Sequence, residues 1–152
     1  MDINNLNCIL DSLNNVLPQL GINNIQKNNI HNKRKIVESL GVIVIIGLIG
    51  DLKGNIIYNL TEESAKKISS KMMMGMPVEN FDELAQSAIS ELVNMLTANA
   101  ATNFSNNNIN IDISTPTLIY GQFTANANAD EILCINIDTD ISPIEINIAL
   151  EK

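Results

Sequence analysis

The sequence predicts an α+β fold: a sandwich in which a mainly antiparallel sheet carries about three helices, one of them long. Three observations point there. Apolar residues recur at spacings of three and four in separated stretches, they alternate with polar residues toward the C-terminal end, and helices are grouped apart from runs of successive strands, without the β-α alternation of a doubly wound sheet. With 152 residues, 45% of them hydrophobic and 17% charged, the chain suits one domain over residues 1–152 and does not suit a disordered or fibrous protein.

Ile3, Leu6, Leu10, Leu13 and Leu17 fall on one helical face, and Gly21 is placed to end that first helix. From Ile22 to Leu60 the pattern changes to β-branched runs: an Asn-rich stretch, the run after Gly41, then Asp51-Leu52-Lys53-Gly54 leading into Asn55-Ile56-Ile57-Tyr58-Asn59-Leu60. The last two runs read as a hairpin. Thr61 offers an N-cap, with Glu62 and Glu63 in a first turn where the helix dipole favours them. That second helix should run to about Met74, before Gly75 and Pro77. Asn80 with Glu83 reads as a capping box opening the long third helix. Its apolar positions Phe81, Leu84, Ala88, Leu92 and Met95, joined by Ala85, Ile89 and Leu96, persist at helical spacing to about Phe104, and Leu84, Ala88, Leu92 and Met95 should turn toward the core. Then the period falls to two: Ile109, Ile111 and Ile113, then Ile135 and Ile137, then Ile144, Ile146 and Ile148 predict three late strands. The similar words Ile111-Asp112-Ile113-Ser114-Thr115-Pro116 and Ile137-Asp138-Thr139-Asp140-Ile141-Ser142-Pro143 are too short for a repeat and read as similar strand ends.

Nine basic against seventeen acidic side chains give a net charge of −8, which disfavours nucleic acid and anionic lipid, whose phosphates require a positive field. The longest apolar run, from Val42 to Ile49, falls far short of the roughly 20 residues that cross a bilayer, and the N-terminus lacks the pattern of a secretory signal. No membrane association is expected, and the cytoplasm is. Cys8 and Cys134 stand far apart beside a single His31, so neither a zinc site nor a disulfide framework is indicated, and no metal is expected. The 24 Asn and 25 Ile residues are scattered through periodic segments, which makes them a composition bias without functional weight.

Other groups have plain readings. Gly47, Gly50 and Gly54 lack the Gly-Lys-Ser/Thr and the following helix of a phosphate loop and read as a strand end and turn. Lys33-Arg34-Lys35 reads as a solvated loop or edge strand, where lysine also blocks mispairing. Met72, Met73, Met74 and Met76 read as core fillers, and His31 as neither ligand nor catalyst.

The third helix carries one pattern that reads differently. Ser87, Glu91, Asn94 and Ala98 are spaced by four, three and four, so at about 100° per residue they share one ridge. A bare Glu-x-x-Asn is common on solvated helices, and the flanking residues distinguish this one. Ser87-Ala88-Ile89-Ser90-Glu91-Leu92-Val93-Asn94-Met95-Leu96-Thr97-Ala98-Asn99-Ala100, with Pro116 beyond, resembles the signature of the CheC/CheX phosphatases of bacterial chemotaxis: Asp or Ser, three residues, Glu, two residues, Asn, then a later proline. The resemblance extends to Val16-Leu17-Pro18, to the run from Ile45 to Gly54, to Phe104-Ser105 and to the segment from Ile111 to Pro116. Ala98 departs from it, standing where many relatives carry glycine, and its methyl bears on how closely a partner approaches.

The resemblance implies a phosphatase that accelerates hydrolysis of the aspartyl phosphate on a CheY-like response regulator. It makes Glu91 and Asn94 the catalytic pair, on the long helix as an active-site helix, and Ser87 and Ala98 partner contacts. Asn94 would orient the attacking water, since a carboxamide can hold water without accepting its proton, while Glu91 would pair with the partner's active-site lysine. No cofactor of its own is implied; Mg²⁺ belongs to the response regulator, and catalysis is positioning plus electrostatics. CheC-like members carry two such motifs, whereas CheX-like members carry one and work as homodimers whose sheets join. One convincing copy is present here, and Asp11 with Asn14 lacks the surrounding motif. The alternative, from the likeness of CheC-like proteins to flagellar switch components, is a non-catalytic module that binds a response regulator through the same helix.

Overall fold

The computed structural model describes residues 2–151, and of Asn128 and Asp130 only the backbone. The chain runs α1 (Ile3–Val16), a 3-10 turn (Leu17–Leu20), β1 (Gln26–Glu38), β2 (Gly41–Gly50), β3 (Gly54–Thr61), α2 (Glu62–Met72), α3 (Glu83–Asn106), β4 (Ile111–Ile113), β5 (Thr117–Tyr120), β6 (Thr124–Asp138) and β7 (Ile144–Leu150). One seven-stranded sheet has the order β1-β6-β7-β3-β2-β4, with β5 also on β2, and its paired strands run antiparallel. The fold is therefore the α+β sandwich that the sequence predicts, with three α-helices. Among the described residues no helix is long and apolar enough to cross a membrane.

The strand period of two divides the sheet's side chains between two layers. Val42, Val44, Ile46, Ile56, Tyr58, Ile135, Ile146 and Ile148 face the helices and form the main core with Ile9, Leu13, Ile68, Ile89 and Leu96. Their neighbours Ile43 and Ile57 point the other way, into a smaller cluster with Val37, Ala129, Ile132 and Ala149. Glu145 lies beside that second layer, where Asn59 and Asn147 donate to its Oε2 at 2.8 and 2.9 Å and Lys33 approaches its Oε1 at 3.5 Å. Burial alone would raise its pKa, but the two amides and the ammonium outweigh it and hold the carboxyl below the usual carboxylate range. The stability this contributes is present at neutral pH and is lost as pH falls through that lowered value.

Several elements differ from the sequence reading. Lys33-Arg34-Lys35 lies in an edge strand, as expected, but that strand spans all 13 residues of Gln26–Glu38 and pairs with the 15-residue β6. Its polar sequence gives no period of two. Four strands, not three, follow α3, since Thr117–Tyr120 forms β5. The cap of α3 is Asp82, whose Oδ1 accepts from Ala85 N at 3.0 Å, and not Asn80. Met72 and Met73 pack against the core as read, whereas Met74 and Met76 are 98% and 58% exposed beyond the end of α2. Leu84 is 60% exposed, contrary to its expected place in the core, because the buried face of α3 runs through Ala85, Ile89 and Leu92 instead.

Gly54 opens β3 at φ +149°, and a Cβ there would strike the Ala149 carbonyl oxygen on β7. Gly75, at φ +89°, has open space around it. Gly54→Ala should therefore cost upward of about 3 kcal/mol in urea denaturation, and Gly75→Ala only about 1 kcal/mol for the left-handed backbone. Equal losses for the two would contradict this packing.

Candidate functional site

The ridge of α3 stands out because the opposite face of that helix is fully committed. Ala85, Ile89, Leu92, Val93, Leu96, Thr97, Ala100 and Phe104 are buried. Thr97 is the polar member of that row. Its hydroxyl donates to Val93 O at 2.8 Å, which leaves its oxygen to accept from the Tyr58 hydroxyl of β3 at 3.1 Å. This pair ties the middle of α3 to the sheet directly behind the turn that bears Glu91 and Asn94.

Ser87, Glu91 and Ala98 are exposed and Asn94 is half-buried, so all four residues singled out in the sequence emerge from the layer on one side. Ser87, Glu91 and Asn94, with Glu83, Gln86 and Ser90, form one wall of an open groove. The other wall is the segment joining β4 to β5, with Ile113, Ser114, Thr115, Pro116 and Leu118. The structure thus brings the Glu-x-x-Asn pair opposite the later proline. Ala98 continues the ridge but does not line the groove.

Both walls are held. Ser114 N donates to Gly47 O at 2.9 Å, and Gly47 N donates to Ser114 Oγ at 2.8 Å, fixing the second wall to β2. Tyr120 of β5 meets Phe81, just ahead of α3, edge to face, with ring centroids 5.2 Å apart, and its hydroxyl donates to Glu62 of α2. Gln86 donates to Phe81 O at 2.9 Å. Among the described residues the Glu91 carboxylate and the Asn94 carboxamide have no hydrogen-bond partner, which leaves an acceptor and a donor-acceptor pair available one turn apart.

Other candidates lie elsewhere. His31 is exposed on β1, opposite Cys134 of β6, and Cys8 and Cys134 are buried free thiols. Asp11 and Asn14 are exposed on α1, away from the groove. Among the described residues no group of His, Cys, Asp and Glu is arranged to hold a metal ion. Sequence reasoning missed the second wall apart from its proline, because Ser114, Thr115 and Leu118 reach the site through the pairing of β4 and β5 with β2.

The family model described as "Chemotaxis phosphatase CheX" matches residues 42–139. The CheY-P phosphatase CheX of Thermotoga maritima is 38% identical over 81 residues, 53% of this chain and 52% of the relative, so the match spans about half the length of each. A CheC-like superfamily protein from Shewanella sp. PV-4 superposes with TM-score 0.85 and 25% identity over 100% of both chains. The CheX of the CheX-CheY-BeF3-Mg²⁺ complex from Borrelia burgdorferi superposes with TM-score 0.73 and 24% identity, over 98% of this chain and 96% of that one.

Burial pushes the Tyr58 hydroxyl up to about 12, outweighing the opposite effect of its bond to Thr97. Because the folded pKa lies above the unfolded value near 10, this stability is fully present below about pH 10 and is lost as pH rises toward 12. Alkaline titration of unfolding free energy should show a fall on the order of 3 kcal/mol across that window. The fall should be smaller by about that amount in Tyr58→Phe, since Tyr120, Cys8 and Cys134 are also raised and keep their own share; an undiminished fall in that variant would assign it to another group.

Proposed function

The chain belongs to the chemotaxis phosphatase CheX family, and from that membership we propose that it accelerates hydrolysis of the aspartyl phosphate on a CheY-like response regulator. The observation that carries the reading is the pair of uncommitted side chains, Glu91 and Asn94, adjacent on the exposed ridge of α3 and lining the groove. Residues 1–152 act as one phosphatase domain, working in the cytoplasm where phosphorylated response regulators reside.

The substrate brings most of the reaction centre with it: the phosphoryl group, Mg²⁺ that neutralises its charge, and a lysine. Loss of phosphate then requires a water held in line with the leaving carboxylate oxygen. The Asn94 carboxamide suits that task, because its oxygen accepts from the water while its NH₂ donates to a neighbouring oxygen, and it takes no proton itself. Glu91, one turn earlier, pairs with the partner's lysine and fixes α3 over the phosphorylated residue. Ser87 and Ala98 lie above and below on the same ridge, where small side chains let the two backbones approach. Holding the water in place is worth on the order of 10²-fold or more. The chain needs no cofactor of its own, and two copies join as a homodimer.

Phosphate release from a phosphorylated CheY-like protein with Mg²⁺ tests the assignment. Asn94→Ala should lower turnover on the order of 10²-fold while binding survives, and Glu91→Ala should weaken both. Wild type that binds without accelerating release would make the chain a docking module related to flagellar switch proteins. Light scattering at micromolar concentration should give the mass of a dimer; a monomer would remove the paired assembly.

A further inference from the structure

We propose that Leu84 is an apolar anchor that sets the affinity of the α3 ridge for its phosphorylated partner and plays no part in hydrolysis, an inference that rests on the function proposed above. Leu84, Ser87, Glu91, Asn94 and Ala98 follow one another at spacings of three, four, three and four, so the exposed leucine stands in line with the two candidate catalytic residues. It lies about 10 Å up the helix from Glu91. A shallow hollow lined by Asp82, Glu83, Leu84 and Ser87 runs into the groove, since Glu83 and Ser87 border both.

Single exposed apolar residues are ordinary on protein surfaces. This one differs in position: a partner seated over Glu91 and Asn94 reaches Leu84 without a gap. Asp82 and Glu83 beside it define the complementary surface as an apolar patch bordered by lysine or arginine. An apolar anchor also answers an electrostatic difficulty. The chain carries a net charge of −8, which gives no long-range attraction to any partner that is itself acidic. Burial of a leucine side chain is indifferent to charge and is worth roughly 10- to 100-fold in affinity.

Steady-state phosphate release from a CheY-like protein, with Mg²⁺ and a small-molecule phosphodonor, should be compared for wild type, Leu84→Ser and Leu84→Met, alongside their thermal midpoints. Leu84→Ser should raise KM roughly 10- to 100-fold with kcat within about 2-fold of wild type, Leu84→Met should restore most of the affinity, and the midpoints should agree within a few degrees. An unchanged KM in Leu84→Ser overturns the anchor while leaving the phosphatase intact. A fall in kcat at unchanged KM, or a KM rise in Leu84→Met equal to that in Leu84→Ser, also overturns it. Wild type that does not accelerate release removes the proposed function and the anchor together.

Discussion

The rotation of α3 about its own axis is the constraint on which the site depends. A helix of 24 residues presents a different side chain every 100° or so, and a turn of that size would carry Glu91 and Asn94 out of the groove. Burial sets the angle coarsely: Ala85, Ile89, Leu92, Leu96, Ala100 and Phe104 form the stripe that fits the sheet. The Tyr58–Thr97 bond sets it finely, because a hydroxyl pair in an apolar layer is costly to leave unmatched and has few positions in which it is satisfied. The same helix thus provides both its buried reference face and the exposed face that lines the groove.

What could be read from the sequence follows from whether a signal is local. The three α-helices, the β2–β3 hairpin and the Glu91/Asn94 ridge all rest on spacings within a short window, and each lies where the spacing puts it. The misses are places where distant contacts decide. β1 and the first half of β6 have sequences without a strand period that become strands by pairing with each other, β6 beginning well before the Ile135 and Ile137 that predict it, and β5 is defined by its register on β2. Leu84 fits the helical period only loosely, since Ala85 beside it takes the inward position. Asn80 with Glu83 mimics a capping box, yet Asp82 immediately precedes the helix and its carboxylate reaches the Ala85 amide. In the site, the Glu-x-x-Asn ridge was legible, whereas the hydroxyls of the opposing wall were not.

That wall also distinguishes this groove from a gap between loops. The serine before Thr115 exchanges two hydrogen bonds with Gly47, and the edge-to-face aromatic contact ties β5 to the segment that leads into α3. The polar groups within the groove are thereby carried on rigid elements, the arrangement that a reaction dependent on placing one water requires.

The pairing of β1 with β6 also governs how the chain folds. Gln26 sits opposite Asp138, and Val37 opposite Ala125, so the strand emerging soon after the first helix finds its partner only when nearly all the chain is available. Such distant pairing closes late, after the local hairpin and helices. Until then β1 is unpaired on both sides, and it remains the edge of the sheet after β6 has joined it. Lys33, Arg34 and Lys35 in its middle set like charges along that edge, the composition by which edge strands disfavour pairing with copies of themselves.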